Sequence, residues 1–329
     1  MTRISAKYLS RRLIVSYATI LVIMTLLFAL IRSMPGSFIN LMMSPGMTQE
    51  QIAALEARWG LNDPLWQQYI RFMFNYQVGN FGWSPTQNVP VWDLIVRRMP
   101  RTLILFGSTF VMGYMIGPLV GMYLGWLRGS TRDQAIFTGG LFMYSMPAFW
   151  IGWLVIWVFN YQLGWFPSSY LVTKFPEFEW TTWTIITDVL SHLALPVISV
   201  TAIAWVGSML VMRTTMNDVT DSDYVFLAEA KGVPERAIMI KHAARNALIP
   251  VATQAIVGIA FILDGAVLIE NVFNYPGMGL LLVDAVLNND YPVTQAVFFV
   301  LAVMIVIMRL VTDVAYTYLD PRIKFGEEN

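Results

Sequence analysis

The stretch TLILFGSTFVMGYMIGPLVGMYLGWL, residues 102–127, carries no charged side chain. As a helix it is longer than the roughly 20 apolar residues that cross a bilayer core. Uncharged runs of the same kind recur at Leu13–Ile31, at Gln134–Thr173 with its most apolar part at Ala135–Phe159, at Leu193–Met212, at Asn246–Leu263 and at Tyr291–Met308. Six membrane spans are therefore expected, the last two slightly short before a polar residue near one end, Asp264 and Arg309. The composition agrees: 57% of residues are hydrophobic, 13% are charged, and the mean hydropathy is +0.57. A soluble domain usually carries about 25% charged residues. A large soluble all-α core is the alternative, and the uncharged lengths argue against it. The predicted fold class is an all-α polytopic membrane protein with six transmembrane helices and a small external domain between helices 1 and 2.

Charge and cysteine content exclude several functions. Lys+Arg and Asp+Glu each number 21, so the balance indicates no nucleic-acid or acidic partner. The chain has no cysteine, which removes disulfides, thiolate metal sites and thiol catalysis. Its histidines are His192 and His242, far apart and expected on opposite sides of the membrane, so no metal site is expected on this chain. The 12 Trp and 14 Tyr suit a protein with two membrane interfaces.

Topology follows from the Lys and Arg distribution. Arg3, Lys7, Arg11 and Arg12 precede the first run, which is longer than a signal-peptide core and has no small-residue cleavage site after it, so an uncleaved anchor is expected. With both termini in the cytoplasm, the inner segments hold those four and also Arg128, Arg132, Arg213, Lys231, Arg236, Lys241, Arg245, Arg322 and Lys324. The outer segments hold Arg58, Arg71, Arg97, Arg98, Arg101 and Lys174, three of them clustered at the end of a long segment that counts weakly in this rule. The chain divides into 1–33 (cytoplasmic N-terminus and first span), 34–99 (external domain), 100–317 (a core of five spans, with a cytoplasmic loop at 214–250) and 318–329 (cytoplasmic tail). In the external part, Thr48–Gln51 has capping-box spacing before Ile52, Leu55 and Trp59, and Gly60 ends that helix. A second aromatic-rich stretch, with Trp66, Tyr69, Phe72, Phe74 and Tyr76, follows. A cover over the spans and a docking role are both open for it.

The loop at 214–250 holds a specified elbow. Asp221 or Ser222 can cap a helix at Tyr224–Lys231. Gly232 stops it where φ > 0 is needed. Pro234 opens a second helix, with Glu235 near its N-terminus. That helix carries Arg236, Lys241 and Arg245 to Pro250, where the membrane resumes. The small residues Ala228 and Ala230 at the tip would let the elbow seat closely in a partner's groove.

This segment resembles the EAA loop of ABC-importer permeases, in the form found in the dipeptide/oligopeptide/nickel permease family. Ala228–Gly232 fits its Ala-x-Ala-Lys-Gly, and His242–Pro250 fits its His-Ala-x-Arg-Asn-Ala-Leu-x-Pro. The likeness continues in order through Met34-Pro35-Gly36, Arg98–Leu103, Glu270–Gly279, Asp290-Tyr291-Pro292 and Leu319–Ile323. Phe226 stands where the family's name-giving Glu would fall, which leaves that position without a charge for a salt bridge. The outer loop near Thr173–Asp188 is longer than in the shortest members.

The resemblance implies a type I importer-like permease of the first-subunit, B type in the plasma (inner) membrane, forming half of a path for peptides. Its implied partners are a second homologous permease subunit in a heterodimer, two cytoplasmic ATPase subunits, an external solute-binding protein and membrane lipid. ATP and Mg would be held by the ATPases, and no cofactor by this chain. The sequence has no Gly-Lys dipeptide, hence no P-loop of its own. The chain is therefore expected not to be an enzyme. Ala228, Ala230, Lys231, Gly232, Glu235, Arg236, His242, Arg245 and Asn246 are the expected ATPase-coupling residues. Asp264 is an ionisable group at the end of a span and would line the path or touch water at the outer rim. Glu270, Tyr275, Pro276 and Gly277 would form an outer gate or a re-entrant turn. Oligosaccharides or nickel chelates are alternative cargoes. An ion-coupled secondary transporter would show internal repeats and several buried ionisable groups, and an intramembrane enzyme would need a catalytic constellation at depth.

Overall fold

A computed structural model of the chain describes residues 6–33, 48, 50, 62–173, 181–259 and 266–319. Among these the protein is mostly helical. The elements are α1 (Ala6–Ser33), α2 (Leu65–Gln77), β1 (Trp83–Ser84), β2 (Val89–Pro90), α3 (Val91–Trp126), α4 (Thr131–Tyr144) and α5 (Ala148–Val155). Helix α5 continues as a π-helix at Ile156–Gln162. Then come α6 (Thr182–Thr220), α7 (Asp223–Ala230), α8 (Glu235–Ala237), a π-helical turn (Ile238–Ala243), α9 (Ala244–Ile259), α10 (Ala266–Val272), α11 (Met278–Leu287) and α12 (Tyr291–Leu319).

Among the described residues four helices are long and apolar enough to cross a membrane: Tyr8–Leu30 within α1, Val91–Trp126, Thr182–Thr220 and Tyr291–Ala315 within α12. Helices α4 and α5 supply a fifth if they count as one span, but they are bent by 103° at the break between them. The single span expected within Gln134–Thr173 is thus broken. Pro147 is the cause, since it disfavours helical backbone at Met146 and restarts the chain as the cap of α5. The span expected at Leu193–Met212 lies inside a helix of 39 residues, and the one at Thr102–Leu127 falls, but for Leu127, inside a helix of 36. Helix α3 starts before the expected boundary at 99/100 and carries Arg97, Arg98 and Arg101. Helix α6 starts from a Thr181–Thr184 capping box and runs on to Thr220. Charge-free length underestimates such helices, because α-helix needs internal hydrogen bonds and not an absence of charge. The run expected at Asn246–Leu263 is helical as α9 to Ile259, and the rest of it lies outside the described residues, as does the helix expected after Thr48.

The chain divides into two compact units. One comprises α1, α2, the β1–β2 hairpin, the start of α3, α11 and α12 as far as Val311. Here Asp290 is 1% exposed and accepts hydrogen bonds at Oδ2 from Ser84 Oγ and Thr86 Oγ1, each 2.5 Å, so it ties the hairpin to the start of α12. Thr102 Oγ1 accepts from the Met278 N–H at 2.8 Å and caps α11.

The second unit holds the rest of α3, α4 to α10 and the end of α12. Its centre is the crossing of α3 and α6. Gly113, Gly117, Gly121 and Gly125 recur every fourth residue along α3 and therefore share one face. A Cβ on Gly117 would overlap Ser208 Oγ and Trp205 O, one on Gly121 would overlap Met209 O, and one on Gly125 would overlap Met216 Cβ. Backbone contact of this closeness is how membrane helices associate where lipid offers no hydrophobic drive. Ser208 Oγ donates to Gly113 O across the crossing at 3.0 Å. A separate core gathers Leu105, Phe106, Ile151, Leu193, Leu195, Ile269, Phe273 and Tyr275.

Candidate coupling site

Helix α7 ends as the sequence requires, by backbone hydrogen bonds alone. Gly232 N–H donates to Glu229 O at 2.9 Å and Val233 N–H to Ala228 O at 3.2 Å. With Gly232 at φ +70°, this is a complete Schellman motif. Its start differs from expectation. Neither Asp221 nor Ser222 caps it with a side chain. Ser222 Oγ donates backward to Val219 O at 2.5 Å, and Asp221 pairs with Arg128 at 3.0 Å. Pro234 is the N-cap of α8 and not its first helical residue. The helix then passes through the π-helical turn and continues as α9 beyond Pro250. Pro250 lies inside that helix and has no N–H to reach Asn246 O.

The elbow is fastened underneath and open above. Val225, Ala228, Ile238, Ala243, Ala244 and Ala247 are buried together with Met212 and Met216 of α6, and with Trp126, Val219 and Val233 packed around them. Ala228, expected at the seating tip, is 5% exposed and turned into the chain's own core. The reason is register: Val225 and Ala228 are three apart on α7 and face α6 together. The open side presents Phe226, 72% exposed, beside Leu227 and Tyr224. Ala230, Lys231, Gly232, Glu235, Arg236, Arg245 and Asn246 are also exposed. His242 is half-buried, with Nδ1 3.4 Å from Ala237 O.

One polar contact joins the elbow to the end of α3, a second joins α6 to α4 next to it, and sequence reading missed both. Trp126 Nε1, at the end of α3, donates to Glu235 Oε1 at 2.7 Å. Arg213 of α6 grips Asp133 of α4 with both branches, Nε to Oδ1 at 2.7 Å and Nη2 to Oδ2 at 2.8 Å. Asp133 is 1% exposed, its Oδ2 also accepts from the Gly129 N–H at 3.1 Å, and the guanidinium lies 4.3 Å from the Phe137 ring centre. The available signal was two charges of opposite sign, each at the border of an uncharged run.

Asp264 lies outside the described residues. Glu270 and Tyr275 belong to the second unit and are fully buried. Tyr275 N–H donates to Glu270 O at 2.7 Å, closing the turn after α10, where Asn274 takes φ +45°. Pro276 and Gly277 belong to the first unit, where Arg101 Nη1 donates to Pro276 O at 3.4 Å and Gly277 precedes α11. Among the described residues no cluster of His, Asp and Glu could hold a metal ion.

Residues 117–325 match the family described as binding-protein-dependent transport system inner membrane component. Residues 5–106 match that family's N-terminal membrane component. The chain is 34% identical over 321 residues to an oligopeptide transport system permease protein, AppB, of Bacillus subtilis, covering 97% of this chain and 100% of the relative. It is 35% identical over 331 residues to a di/tripeptide transport system permease protein, DppB, of Pseudomonas aeruginosa, covering 96% and 98%. A glutathione transport system permease protein, GsiC, of Escherichia coli K12 is 32% identical over 318 residues, covering 97% and 99%.

Proposed function

The chain belongs to the binding-protein-dependent inner-membrane permease family, and from that premise we propose that it forms half of the path by which an ABC importer takes up peptides. The relatives' names, which speak of oligopeptides, di/tripeptides and glutathione, support peptide as the cargo. The other half is a second, homologous permease. Two ATPase subunits below hold ATP and Mg, and a solute-binding protein outside delivers the cargo. The chain sits in the inner membrane with six spans, both termini inside, and the first two spans joined on the outer side.

One observation carries the mechanism: the Gly232 elbow is exposed on one side and packed into the ends of α3 and α6 on the other. Closure of the ATPases on ATP binding pushes α7, and the clamp at Trp126–Glu235 and in the Met212–Met216 core passes that motion to the spans. The path is thereby exposed alternately to each side. Phe226, with Tyr224 and Leu227, replaces a charged contact by an apolar one on the ATPase. Asp264 is proposed to line the path. Its substitution by Asn should then reduce uptake of a peptide carrying a free amine and spare one whose amine is blocked.

The test is gentle solubilisation of the tagged chain from its native membrane, followed by reconstitution. Recovery of ATPase chains and of a second permease, together with ATP-dependent uptake of labelled di- to oligopeptides, is expected. A complex without ATPase chains would overturn the importer reading. A complete complex that moves only sugars or metal chelates would overturn the cargo alone.

A further inference from the structure

We propose that α2, within the segment expected to be external, is embedded in the bilayer beside α1, with Trp66, Ile70 and Phe74 packed against lipid acyl chains. The contacts between these two helices run antiparallel. Tyr17 Oη donates to Gln77 Oε1 at 2.9 Å. Thr25 and Tyr69 share a hydroxyl–hydroxyl bond at 2.9 Å. The Phe28 ring meets those of Tyr69 and Phe72 at 5.4 and 5.5 Å, and Arg32 Nη2 donates to Gln68 Oε1. As the chain descends α2 it therefore descends α1 as well, from Arg32 to Tyr17.

The bilayer can occupy only one stretch of α1. Its charge-free run is bounded by Arg12 below and Arg32 above, and the candidate span is Tyr8–Leu30. Tyr17 lies about 20 Å below Leu30 at 1.5 Å per residue, in a hydrocarbon core about 30 Å thick. Gln77, bonded to Tyr17, shares that depth.

The two faces of α2 fit this placement. Gln68, Phe72 and Tyr76 turn inward, and Tyr76 packs on Phe81 and Phe299. Trp66, Ile70 and Phe74 recur every fourth residue on the outer face and are 57–65% exposed. On α1, Val22, Leu26 and Leu30 are exposed to the same degree, and they meet lipid because α1 spans the membrane. Arg71 is the charged residue of α2, and its guanidinium reaches back to Asp63, before the N-terminal, outward end of the helix, at 2.7 Å. This is the snorkelling expected of a cation held below an interface. In the uncharged register of α1, the hydroxyls of Tyr17 and Thr25 each find a polar partner on α2, as groups in hydrocarbon must.

The chain's lack of cysteine makes the test direct. Single spin labels are placed at Trp66→Cys, Ile70→Cys and Phe74→Cys, with Leu26→Cys as the lipid-facing reference. The carrier is the assembled transporter in lipid nanodiscs, its partner chains freed of reactive cysteines. Collision rates with oxygen, which concentrates in lipid, are compared with those of a water-soluble nickel chelate. Ile70 and Phe74 should match Leu26, high for oxygen and low for nickel, with depth increasing from Trp66 to Phe74. High nickel collision at Phe74 would overturn the proposal by placing α2 in water. Low collision with both reagents would overturn lipid as the occupant and point to the partner permease. Three independent positions keep the outcome readable if one variant does not assemble.

Discussion

Asp133 and Arg213, eighty residues apart in sequence, form a two-pronged ion pair with Asp133 almost wholly buried. The pair joins the start of α4 to α6 just before α6 leaves its apolar stretch for the coupling loop. It also holds the turn after α3, through the Gly129 N–H on the same carboxylate. Removing one member of a buried pair strands the other charge and typically costs about 3–5 kcal/mol. Asp133→Asn and Arg213→Gln should each lower thermal stability strongly in detergent. The double variant should lose less than the sum of the two, and Arg213→Lys should not restore the fork. Additive losses in a double-mutant cycle would show that the pair is not coupled.

The α3–α6 crossing makes a second prediction. Gly121→Leu must displace the backbone at Met209 O, whereas Gly107→Ala meets nothing within 4 Å. The first should abolish accumulation of monodisperse protein. The second should be tolerated, with a stability change of about 0.5 kcal/mol or less. Size-exclusion profiles of the two variants decide the matter.

At the elbow the constraint is conformational and not steric. Gly232 has φ +70° and open space where a Cβ would stand. A left-handed backbone costs an ordinary L-residue roughly 1–2 kcal/mol, and Asn less. Gly232→Val should therefore leave the chain in the membrane while uncoupling ATP hydrolysis from uptake. Gly232→Asn should keep the two coupled. Normal uptake by Gly232→Val would remove the elbow from the mechanism.

Phe226 separates docking from folding. It is 72% exposed and outside the Met212–Met216 core, so Phe226→Ser should leave the melting temperature unchanged. It should reduce retention of the ATPase chains during purification. Ala228→Leu, aimed into the Met212–Met216 core, should do the reverse and destabilise the chain itself by about 1–3 kcal/mol through overpacking.

Much of this was legible in the residues. The charge-free runs announce the bilayer because transfer into hydrocarbon is paid residue by residue, and Lys, Arg, Asp and Glu are the costly ones. Gly232 and Pro234 announce an elbow because their backbone preferences are local. The break at Pro147 was present too, inside an uncharged run longer than one span needs. The caps of α7 were misread because Asp221 found Arg128 and Ser222 found Val219 O, partners as good as the helix terminus.

The sequence by itself determined the solvent, the helical class, the family and the turn at Gly232. Each rests on properties a residue carries alone or shares with near neighbours. Only the tertiary structure decided that Ala228 faces inward while Phe226 faces out, that Arg213 closes on Asp133, and that α2 lies along α1. Those outcomes depend on which helix faces cross, and a crossing is chosen by close packing between distant segments, as where the glycines of α3 admit the backbone of α6.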